Sequence, residues 1–324
     1  MIRAAVLDDY QRRASGYADW ASLGAGVEVT FVHEKIEQTD IAGALAGFEV
    51  LVLMRERTAL RRPAIEGLPN LKLVVTTGMR NASLDVGYLN ERGVVVCGTD
   101  GAGREVAPGV PSTAEVAWAL ILAVCKRVLI EDRAIRAGRW QLDLPATLSG
   151  ATLGLAGLGN LGGAMVGPAR AFGMDVIAWS PNLSDERTRP LGVERVSEHE
   201  LLSSADFLSI HLVLSDRTRG LIGAAELAQM KPTASLINTS RGPIVDERAL
   251  IGALRDGTIA AAGLDVYDVE PLPPGHPLTM LDNVVLLPHL GYVTEATFRH
   301  MYAQVIEDIA AFLDGTPVRV LTPA

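Results

Sequence analysis

Short apolar runs rich in Val, Ile and Leu recur along the chain, and segments with the apolar spacing of helices separate them. This pattern is typical of a parallel sheet that is buried on both faces and whose strands are connected by helices. In the first third of the chain it predicts one α/β sheet, with strands at Ile2–Leu7, Val27–Val32, Val50–Met54, Leu71–Thr77 and Val94–Cys97.

A second series of apolar runs follows, again alternating with helical segments. Its predicted strands are Ala151–Ala156, Asp175–Trp179, Phe207–Leu212, Ser235–Asn238, Ala262–Val266 and Val284–Leu287. This alternation indicates a doubly wound parallel sheet of the Rossmann type. Glycine and proline interrupt the pattern between the two series, so we predict a linker at Gly98–Pro111 and a domain boundary there.

Two longer helices are predicted outside the strand series. Ala114–Ile130 is apolar enough to form one helix, and Ser112 or Thr113 is placed to cap its first turn with a hydroxyl. Glu295–Leu313 has helical periodicity and no strand-like run after it.

Length and charge narrow the classes of function. With 324 residues the chain exceeds the roughly 100–200 residues of one domain, which agrees with two domains. A net charge of -9 opposes a nucleic-acid partner, because a phosphate backbone is held by clustered Lys and Arg. The longest apolar stretch, Val116–Cys125, is too short to span a membrane. Since the N-terminus lacks the apolar core of a signal peptide, we expect a cytoplasmic protein without a membrane partner.

The two cysteines predict neither a disulfide nor a metal centre. Cys97 and Cys125 stand in apolar runs, with no Cys-x-x-Cys or Cys/His spacing around them. We therefore expect two buried free thiols and no metal ligands.

A glycine loop, Gly-Leu-Gly-Asn-Leu-Gly, follows the predicted strand that ends at Ala156 and opens a helical segment. In this context Gly157 permits a tight turn, Gly159 lets the backbone approach a pyrophosphate, and Gly162 allows close packing of helix on strand. Asn160 and Leu161 lie at the helix N-terminus, whose free amides attract phosphate. A purely structural turn is the alternative, and the strand before and helix after the loop favour dinucleotide binding over it.

The residues after Asp175–Trp179 bear on the choice between NAD and NADP. This fold usually has an acidic residue here that binds the ribose 2′-hydroxyl. The chain instead has Ser180 and, two residues on, Asn182, so the carboxylate that would repel a 2′-phosphate is absent. We expect weak discrimination with a slight preference for NAD, while Arg187 and Arg189 are close enough in sequence to favour NADP.

Three polar motifs follow later strands. Arg241 stands in Asn-Thr-Ser-Arg-Gly, Glu270 in Asp-Val-Tyr-Asp-Val-Glu-Pro, and His289 in Leu-Pro-His-Leu-Gly. Each alone has a structural explanation as an ion pair or a loop residue. All three lie just after the carboxyl ends of strands, where open α/β sheets bind ligands. Together with the glycine loop, their order and spacing resemble the D-isomer-specific 2-hydroxyacid dehydrogenase family.

The residue types fit the reaction that this resemblance implies, hydride transfer between a nicotinamide cofactor and a small 2-keto or 2-hydroxy acid. Reduction needs a proton at the carbonyl oxygen, and the imidazole of His289 is suited to donate it near neutral pH. Glu270 beside the ring would favour the imidazolium and fix its orientation. Arg241 would hold the planar substrate carboxylate with two parallel hydrogen bonds.

The resemblance implies further contacts and an organisation. Toward the cofactor it adds Leu212, Thr239, Ser240, Asp265 and Gly291; toward the substrate it adds Arg55, Thr77 and Gly78. It implies that residues 1–100 form a flavodoxin-like substrate domain completed by the C-terminal helix, 295–324, and that residues 101–294 form the NAD(P)-binding Rossmann domain. It also implies a homodimer, built through the helix Ala114–Ile130 and the segment Arg136–Trp140.

Other functions compatible with the motifs remain. An NAD(H)-sensing binding protein, similar to the corepressors that resemble this family, would keep Arg, Glu and His without significant turnover. A formate dehydrogenase is disfavoured because those enzymes have Gln where this chain has Glu270. A phosphoglycerate dehydrogenase with an added regulatory domain is excluded by length, whereas a short form is not.

Overall fold

A computed structural model of the chain describes residues 1–100 and 110–323. The chain divides into two compact units, one of residues 1–108 and 294–324 and the other of residues 109–293. Most of the predicted linker Gly98–Pro111 lies outside the described residues.

The strands are β1 (Ile2–Val6), β2 (Val27–Phe31), β3 (Val50–Leu53), β4 (Leu73–Thr76), β5 (Val95–Gly98), β6 (Thr152–Ala156), β7 (Asp175–Trp179), β8 (Glu194–Arg195), β9 (Phe207–Ile210), β10 (Ser235–Asn238), β11 (Ala261–Leu264) and β12 (Val284–Leu286). The α-helices are α1 (Ile41–Leu45), α2 (Arg62–Glu66), α3 (Val86–Glu91), α4 (Ser112–Cys125), α5 (Val128–Arg136), α6 (Asn160–Ala171), α7 (Asp185–Thr188), α8 (Glu198–Ser204), α9 (Ala224–Leu227), α10 (Glu247–Arg255) and α11 (Glu295–Leu313). Short 3-10 helices lie at Ala14–Gly16, Trp20–Leu23, Arg189–Leu191, Gly242–Ile244 and Pro277–Met280.

The first unit contains a five-stranded parallel sheet in the order β2-β1-β3-β4-β5. This is the strand order of flavodoxin-like folds. All five predicted strands are confirmed, with ends displaced by a residue or two. Every residue of β3 and β4 is buried, because the sheet is covered on both faces.

Helix α11 packs in this first unit against β4 and β5. Its buried face includes Phe298, Met301, Tyr302 and Val305. The chain after α11 returns to the sheet edge, where Val320 forms an antiparallel bridge with Cys97 of β5. Among the described residues no strand follows α11, as the sequence predicts, and this bridge is an isolated one.

The second unit contains a seven-stranded parallel sheet in the order β12-β11-β10-β9-β6-β7-β8. The chain winds outward from the centre in both directions, as in Rossmann-type sheets, so the fold class predicted from the sequence is confirmed. The six predicted strands are present, and β8 at the edge was missed. Both residues of β8 are charged and exposed, so they carry no apolar periodicity.

Successive residues of the central strands contribute to opposite faces of this sheet. Leu236 of β10 belongs to one apolar cluster and Ile237 to the other. Helix α4 covers the second face. It can approach β11 closely because Gly263 has no side chain; a Cβ there would lie 2.9 Å from Leu120. The paired apolar clusters hold the carboxyl ends of the strands in a fixed array.

The predicted helix Ala114–Ile130 is wrong as a single element. Helix α4 ends at Cys125, Arg127 adopts the left-handed region with φ of 54°, and α5 begins at Val128. Apolar periodicity continues across this break and so did not reveal it. The predicted hydroxyl cap is also wrong, since α4 has no side-chain cap and Thr113 donates to the carbonyl of Gly291 at 2.7 Å.

Cys97 and Cys125 are both free and buried, as predicted. Within residues 1–100 and 110–323, no helix combines the length and apolar character needed to cross a bilayer. In the same part of the chain, no cluster of three or more His, Cys, Asp or Glu side chains is arranged to hold a metal ion.

Candidate active site

His289 and Glu270 form a hydrogen-bonded pair at the carboxyl edge of the second unit's sheet. Nδ1 of His289 lies 2.6 Å from Oε2 of Glu270, and the backbone amide of Tyr267 donates to Oε1 of the same carboxylate at 3.0 Å. Both carboxylate oxygens are therefore engaged, which fixes the orientation of the imidazole. The ring of Tyr292 meets the imidazole edge to face at 5.5 Å between centroids.

The surroundings keep Glu270 ionised. Burial alone would raise its pKa and is the largest single effect. The hydrogen bond and charge of His289, the Tyr267 amide and the charge of Arg241 together outweigh burial and hold the pKa of Glu270 below its ordinary value. An anionic carboxylate next to the ring is the arrangement that stabilises an imidazolium.

Arg241 follows β10 in a turn that the side chain of Asn238 organises. The amide group of Asn238 donates to the carbonyl of Arg241 at 3.0 Å and accepts from the backbone N–H of Ser240, also at 3.0 Å. Nη1 of Arg241 donates to the carbonyl of Ser240 at 2.7 Å. The Arg241 guanidinium is held in place by this contact, and it is close enough to lower the pKa of Glu270. Such a group is suited to bind an anionic ligand.

Asp265 holds the backbone that follows His289. Its carboxylate is fully buried and accepts from the amides of Leu290 at 2.7 Å and Gly291 at 2.9 Å. Burial raises the pKa of Asp265, although these amides act in the opposite direction. The contact supports the left-handed conformation of His289, with φ of 56°, which non-glycine residues rarely adopt.

The glycine loop has the backbone geometry that the motif predicts. A Cβ on Gly157, which has φ of 104°, would lie 2.6 Å from the carbonyl oxygen of His211, and one on Gly162 would lie 2.1 Å from the carbonyl oxygen of Gly157. These two positions therefore require glycine. Gly159 immediately precedes α6, and nothing lies within 4 Å of the place its Cβ would take. That open space lies at the amino end of a 12-residue helix, where Asn160 and Leu161 form the first turn.

The residues that follow β6, β9, β10 and β11 form a row, because these neighbouring strands end in register. The row is Gly157, His211, Thr239 and Asp265. The hydroxyl of Thr239 is buried and has no hydrogen-bond partner among the described residues, and the same holds for Nδ1 of His211. Burial lowers the pKa of His211 to about 4, so its ring is neutral. A buried hydroxyl without a partner, at the same edge of the sheet as the glycine loop, fits a bound dinucleotide.

The other predicted cofactor residues lie at the same edge of the sheet. Leu212 packs on the apolar cluster next to Gly157, and Ser180 directly follows β7 with Asn182 exposed two residues later. The hydroxyl of Ser240 is already engaged, since it donates to the carbonyl of Ile210 at 2.8 Å. The proton of the Ser240 hydroxyl is therefore already used within the protein.

The predicted substrate residues form a separate cluster in the first unit. Arg55, with φ of 54°, donates from its amide to the hydroxyl of Thr77 at 2.9 Å and from Nη1 to the carbonyl of Thr77 at 3.3 Å. Gly78 has φ of 149°, and a Cβ there would lie 2.6 Å from Nη1 of Arg55. Asn81 joins the two loops, since Nδ2 donates to the carbonyl of Arg55 at 2.6 Å and to the hydroxyl of Thr76 at 2.9 Å.

Sequence reasoning did not assign roles to Tyr267, Asn238 or Asn81, which position the candidate residues. Tyr267 and Asn238 lie within the recognised motifs, and a polar side chain at the carboxyl end of a buried strand was an available signal for Asn238. The role of Tyr267 depends on its backbone amide, which no sequence pattern reveals.

Comparison with known proteins agrees with this geometry. Residues 118–291 match the model of the NAD binding domain of the D-isomer specific 2-hydroxyacid dehydrogenases. A glyoxylate reductase of Aeropyrum pernix is 42% identical over 256 residues, which cover 76% of this chain and 75% of that protein. A D-3-phosphoglycerate dehydrogenase of Archaeoglobus fulgidus is 34% identical over 91% of this chain and 55% of its own length.

Solved structures give the same result. The crystal structure of a phosphoglycerate oxidoreductase from Vibrio cholerae superposes with a TM-score of 0.90 at 34% identity, covering 97% of this chain and 100% of that chain. Fold, motifs and relatives agree over most of the sequence. The chain therefore belongs to the D-isomer-specific 2-hydroxyacid dehydrogenase family.

Proposed function

We propose that the chain reduces a small 2-keto acid to the D-2-hydroxy acid, and catalyses the reverse oxidation, with NAD or NADP as the hydride carrier. The observation that carries the proposal is the 2.6 Å contact between Nδ1 of His289 and Glu270. Because Nδ1 is held by the carboxylate, Nε2 is the ring nitrogen that exchanges a proton with the substrate. A bound nicotinamide supplies or accepts the hydride.

The protein's own groups have distinct roles in this reaction. Arg241 binds the substrate carboxylate and orients the carbonyl. His289 donates a proton to the carbonyl oxygen during reduction and takes it back during oxidation. Glu270 stabilises the imidazolium and holds the ring in place.

We assign the remaining contacts by the motifs and their placement in the fold. The cofactor pyrophosphate is bound at Gly157, Gly159, Asn160, Leu161 and Gly162, and the adenosine ribose at Ser180 and Asn182. The nicotinamide half is bound near Leu212, Thr239, Ser240, Asp265 and Gly291. Arg55, Thr77 and Gly78 of the first unit, which we take as the substrate domain, contact the substrate; residues of the second unit form the NAD(P)-binding domain.

The test is an initial-rate assay with NADH and with NADPH against a panel of 2-keto acids. Relatives named glyoxylate reductase and glyoxylate/hydroxypyruvate reductase make glyoxylate and hydroxypyruvate the first substrates to assay. We expect saturable oxidation of the reduced cofactor with at least one acid of the panel. Tight NADH binding without turnover of any acid would instead support an NAD(H)-sensing protein.

We further propose that the chain is a homodimer through α5 and the segment after it. The predicted face on α4 is internal, since Ala117, Leu120 and Ile121 are fully buried. Apolar side chains are exposed at Val128 and Leu129, at the end of the predicted helix, and at Ile135, Trp140, Leu142 and Leu144 after it. Such a patch is typical of a surface that another subunit covers.

Light scattering at micromolar concentration should give twice the chain mass of 34.4 kDa. Trp140→Glu combined with Leu144→Glu should give a monomer. Met280→Glu, at another exposed apolar residue, is the control and should remain dimeric. A monomeric wild type would refute the assembly.

A further inference from the structure

A cavity of about 400 Å³ lies at the carboxyl end of β7. We call it the β7 cavity; the residues that line it include Trp179, Ser180, Pro181, Asp185, Arg195 and Ser197. Ser180 stands where Rossmann-type sheets usually present the carboxylate that binds a ribose 2′-hydroxyl. The cavity is therefore next to the position that separates NAD from NADP.

Arg195 reaches this cavity from the neighbouring strand. Strand β8 pairs with β7 in parallel register, with Arg195 opposite Ala178. From there the guanidinium extends to Asp185, and its Nη1 lies 2.9 Å from Oδ1 of that carboxylate. The edge strand thus places a cation beside a strand end that lacks the usual anion.

The ion pair between Arg195 and Asp185 is open to solvent, with side chains 50% and 71% exposed. Exposed pairs of this kind contribute little net stability and are readily exchanged. A phosphate offers more negative charge and more acceptor oxygens than one carboxylate, and the planar guanidinium matches it with parallel hydrogen bonds. The arginine is therefore suited to exchange its carboxylate partner for a phosphate.

We propose that Arg195 and Ser180 form a subsite for the 2′-phosphate of NADP(H), with Asp185 as the competing carboxylate that limits its affinity. This inference rests on the proposed binding of a nicotinamide dinucleotide at the glycine loop. The guanidinium pairs with phosphate oxygens, and the hydroxyl of Ser180 donates to another. Asp185 neutralises the cation and repels the phosphate, so the chain accepts both NADPH and NADH.

The subsite differs from what sequence proximity suggests. Arg187 and Arg189 follow Ser180 more closely in sequence, yet among the described residues neither lines the β7 cavity. Arg195 comes from β8, an element that the apolar pattern did not predict. The proposal thus assigns cofactor choice to a residue 15 positions after Ser180 in the sequence.

The experiment measures dissociation constants for NADPH and NADH by calorimetry in four proteins: wild type, Arg195→Gln, Asp185→Asn and Arg187→Gln. Arg195→Gln should weaken NADPH binding about tenfold or more, because it removes charge-assisted hydrogen bonds. The dissociation constant for NADH should stay within about twofold of the wild-type value. Asp185→Asn should strengthen NADPH several-fold. Arg187→Gln is the matched control, since it removes the same charge from a residue that does not line the cavity, and it should change neither constant.

Two further measurements isolate the phosphate. Adenosine 2′-monophosphate should compete with NADPH for binding to the wild type, and it should compete less well for binding to Arg195→Gln. Adenosine 5′-monophosphate should compete equally well in the two proteins. Raising the ionic strength should weaken the binding of NADPH more than the binding of NADH in the wild type. In Arg195→Gln the two dinucleotides should respond to ionic strength alike. Thermal denaturation of each variant establishes that it is folded.

The outcomes separate the subsite from the proposed function. If the folded wild type binds neither dinucleotide, the proposed function fails. If both dinucleotides bind and Arg195→Gln leaves the ratio of their constants unchanged, or if Arg187→Gln alone shifts that ratio, the subsite at Arg195 is wrong while the proposed function stands.

Discussion

The imidazole of His289 and the carboxylate of Glu270 meet at 2.6 Å although 19 positions separate them along the chain. Glu270 lies in the loop after β11 and His289 in the loop after β12, and these strands are neighbours in the sheet. The amide of Tyr267 fixes the carboxylate from one side, and Asp265 fixes the backbone after the imidazole from the other. The pair is therefore held by groups outside it, an arrangement that suits the proton transfer proposed for it.

Replacing Glu270 with Gln should move the pH dependence of keto-acid reduction. The amide keeps the approximate shape of the side chain but loses the negative charge that favours the imidazolium. Reduction needs the protonated ring, so the decline of kcat/KM with rising pH should begin at lower pH in Glu270→Gln than in the wild type. Steady-state rates measured across the pH range check this.

A second Glu–His pair in the same unit provides the control. Oε1 of Glu247 lies 3.1 Å from Nε2 of His276, and Glu247→Gln makes the same chemical change there. It should leave the pH profile in place. If Glu270→Gln kept the wild-type profile, or if Glu247→Gln shifted it equally, the assigned role of Glu270 would be wrong.

Removing the imidazole should separate chemistry from cofactor binding. His289→Ala deletes the proposed proton donor, and a positioned general acid typically contributes on the order of a hundredfold to ten-thousandfold to the rate. We expect kcat to fall within that range while the dissociation constant for NADH, measured by fluorescence titration, stays within about twofold. A variant that turned over a good substrate at the wild-type rate would require another proton donor.

The sequence predicted the parts of the fold and site that leave a side-chain signal. Eleven of the strands were found because apolar runs mark them, and Arg241, Glu270 and His289 were found because their motifs follow strands. Strand β8 was missed because its two residues are exposed and charged. The break at Arg127 was missed because apolar residues continue on both sides of it.

Contacts that use the backbone or cross between strands left no such signal. Asp265 was assigned to the cofactor by resemblance, whereas its carboxylate accepts from two backbone amides after His289. Arg195 carries no signal in the sequence because its relation to Ser180 depends on the register of β8 with β7. These are properties of the folded chain, and a linear pattern of residue types does not contain them.

Placing a side chain at Gly159 should block the dinucleotide without unfolding the protein. The backbone there has φ of −83° and ψ of −154°, which other residues adopt, and a Cβ would point into open space. Gly159→Val should therefore fold and lose NADH affinity by about a hundredfold or more, since the side chain fills the approach of the pyrophosphate to the helix amides. Calorimetry measures the affinity for NADH, and thermal denaturation shows whether the variant is folded.

Gly167 offers a matched control in the same helix. It is exposed, and nothing lies within 4 Å of the place its Cβ would take. Gly167→Val should bind NADH as the wild type does. Unchanged NADH affinity in a folded Gly159→Val protein would show that the loop does not bind the cofactor.

The fully buried carboxyl of Asp308 should make the protein less stable as pH rises. Nε of Arg319 donates to its Oδ1 at 3.0 Å, while its Oδ2 is buried without a partner among the described residues. Burial raises the pKa of Asp308 from 3.8 to about 7, against the opposing effect of Arg319. Between these values the folded chain binds more protons at this group than the unfolded chain does, so the contribution of Asp308 to the free energy of unfolding decreases as pH increases.

Urea denaturation of the wild type and Asp308→Asn, at several pH values from about 4 to 8, measures this contribution as a difference in slope. The amide removes the titration, so the free energy of unfolding of Asp308→Asn should rise relative to the wild type as pH passes from the lower to the higher pKa. Loss of the contact with Arg319 lowers the free energy of unfolding by an amount that does not follow this pH dependence. Asp282→Asn, at a side chain 94% exposed, should run parallel to the wild type. If Asp308→Asn also ran parallel to the wild type, Asp308 would titrate alike in the folded and unfolded chains, and its burial would not control the pH dependence of stability.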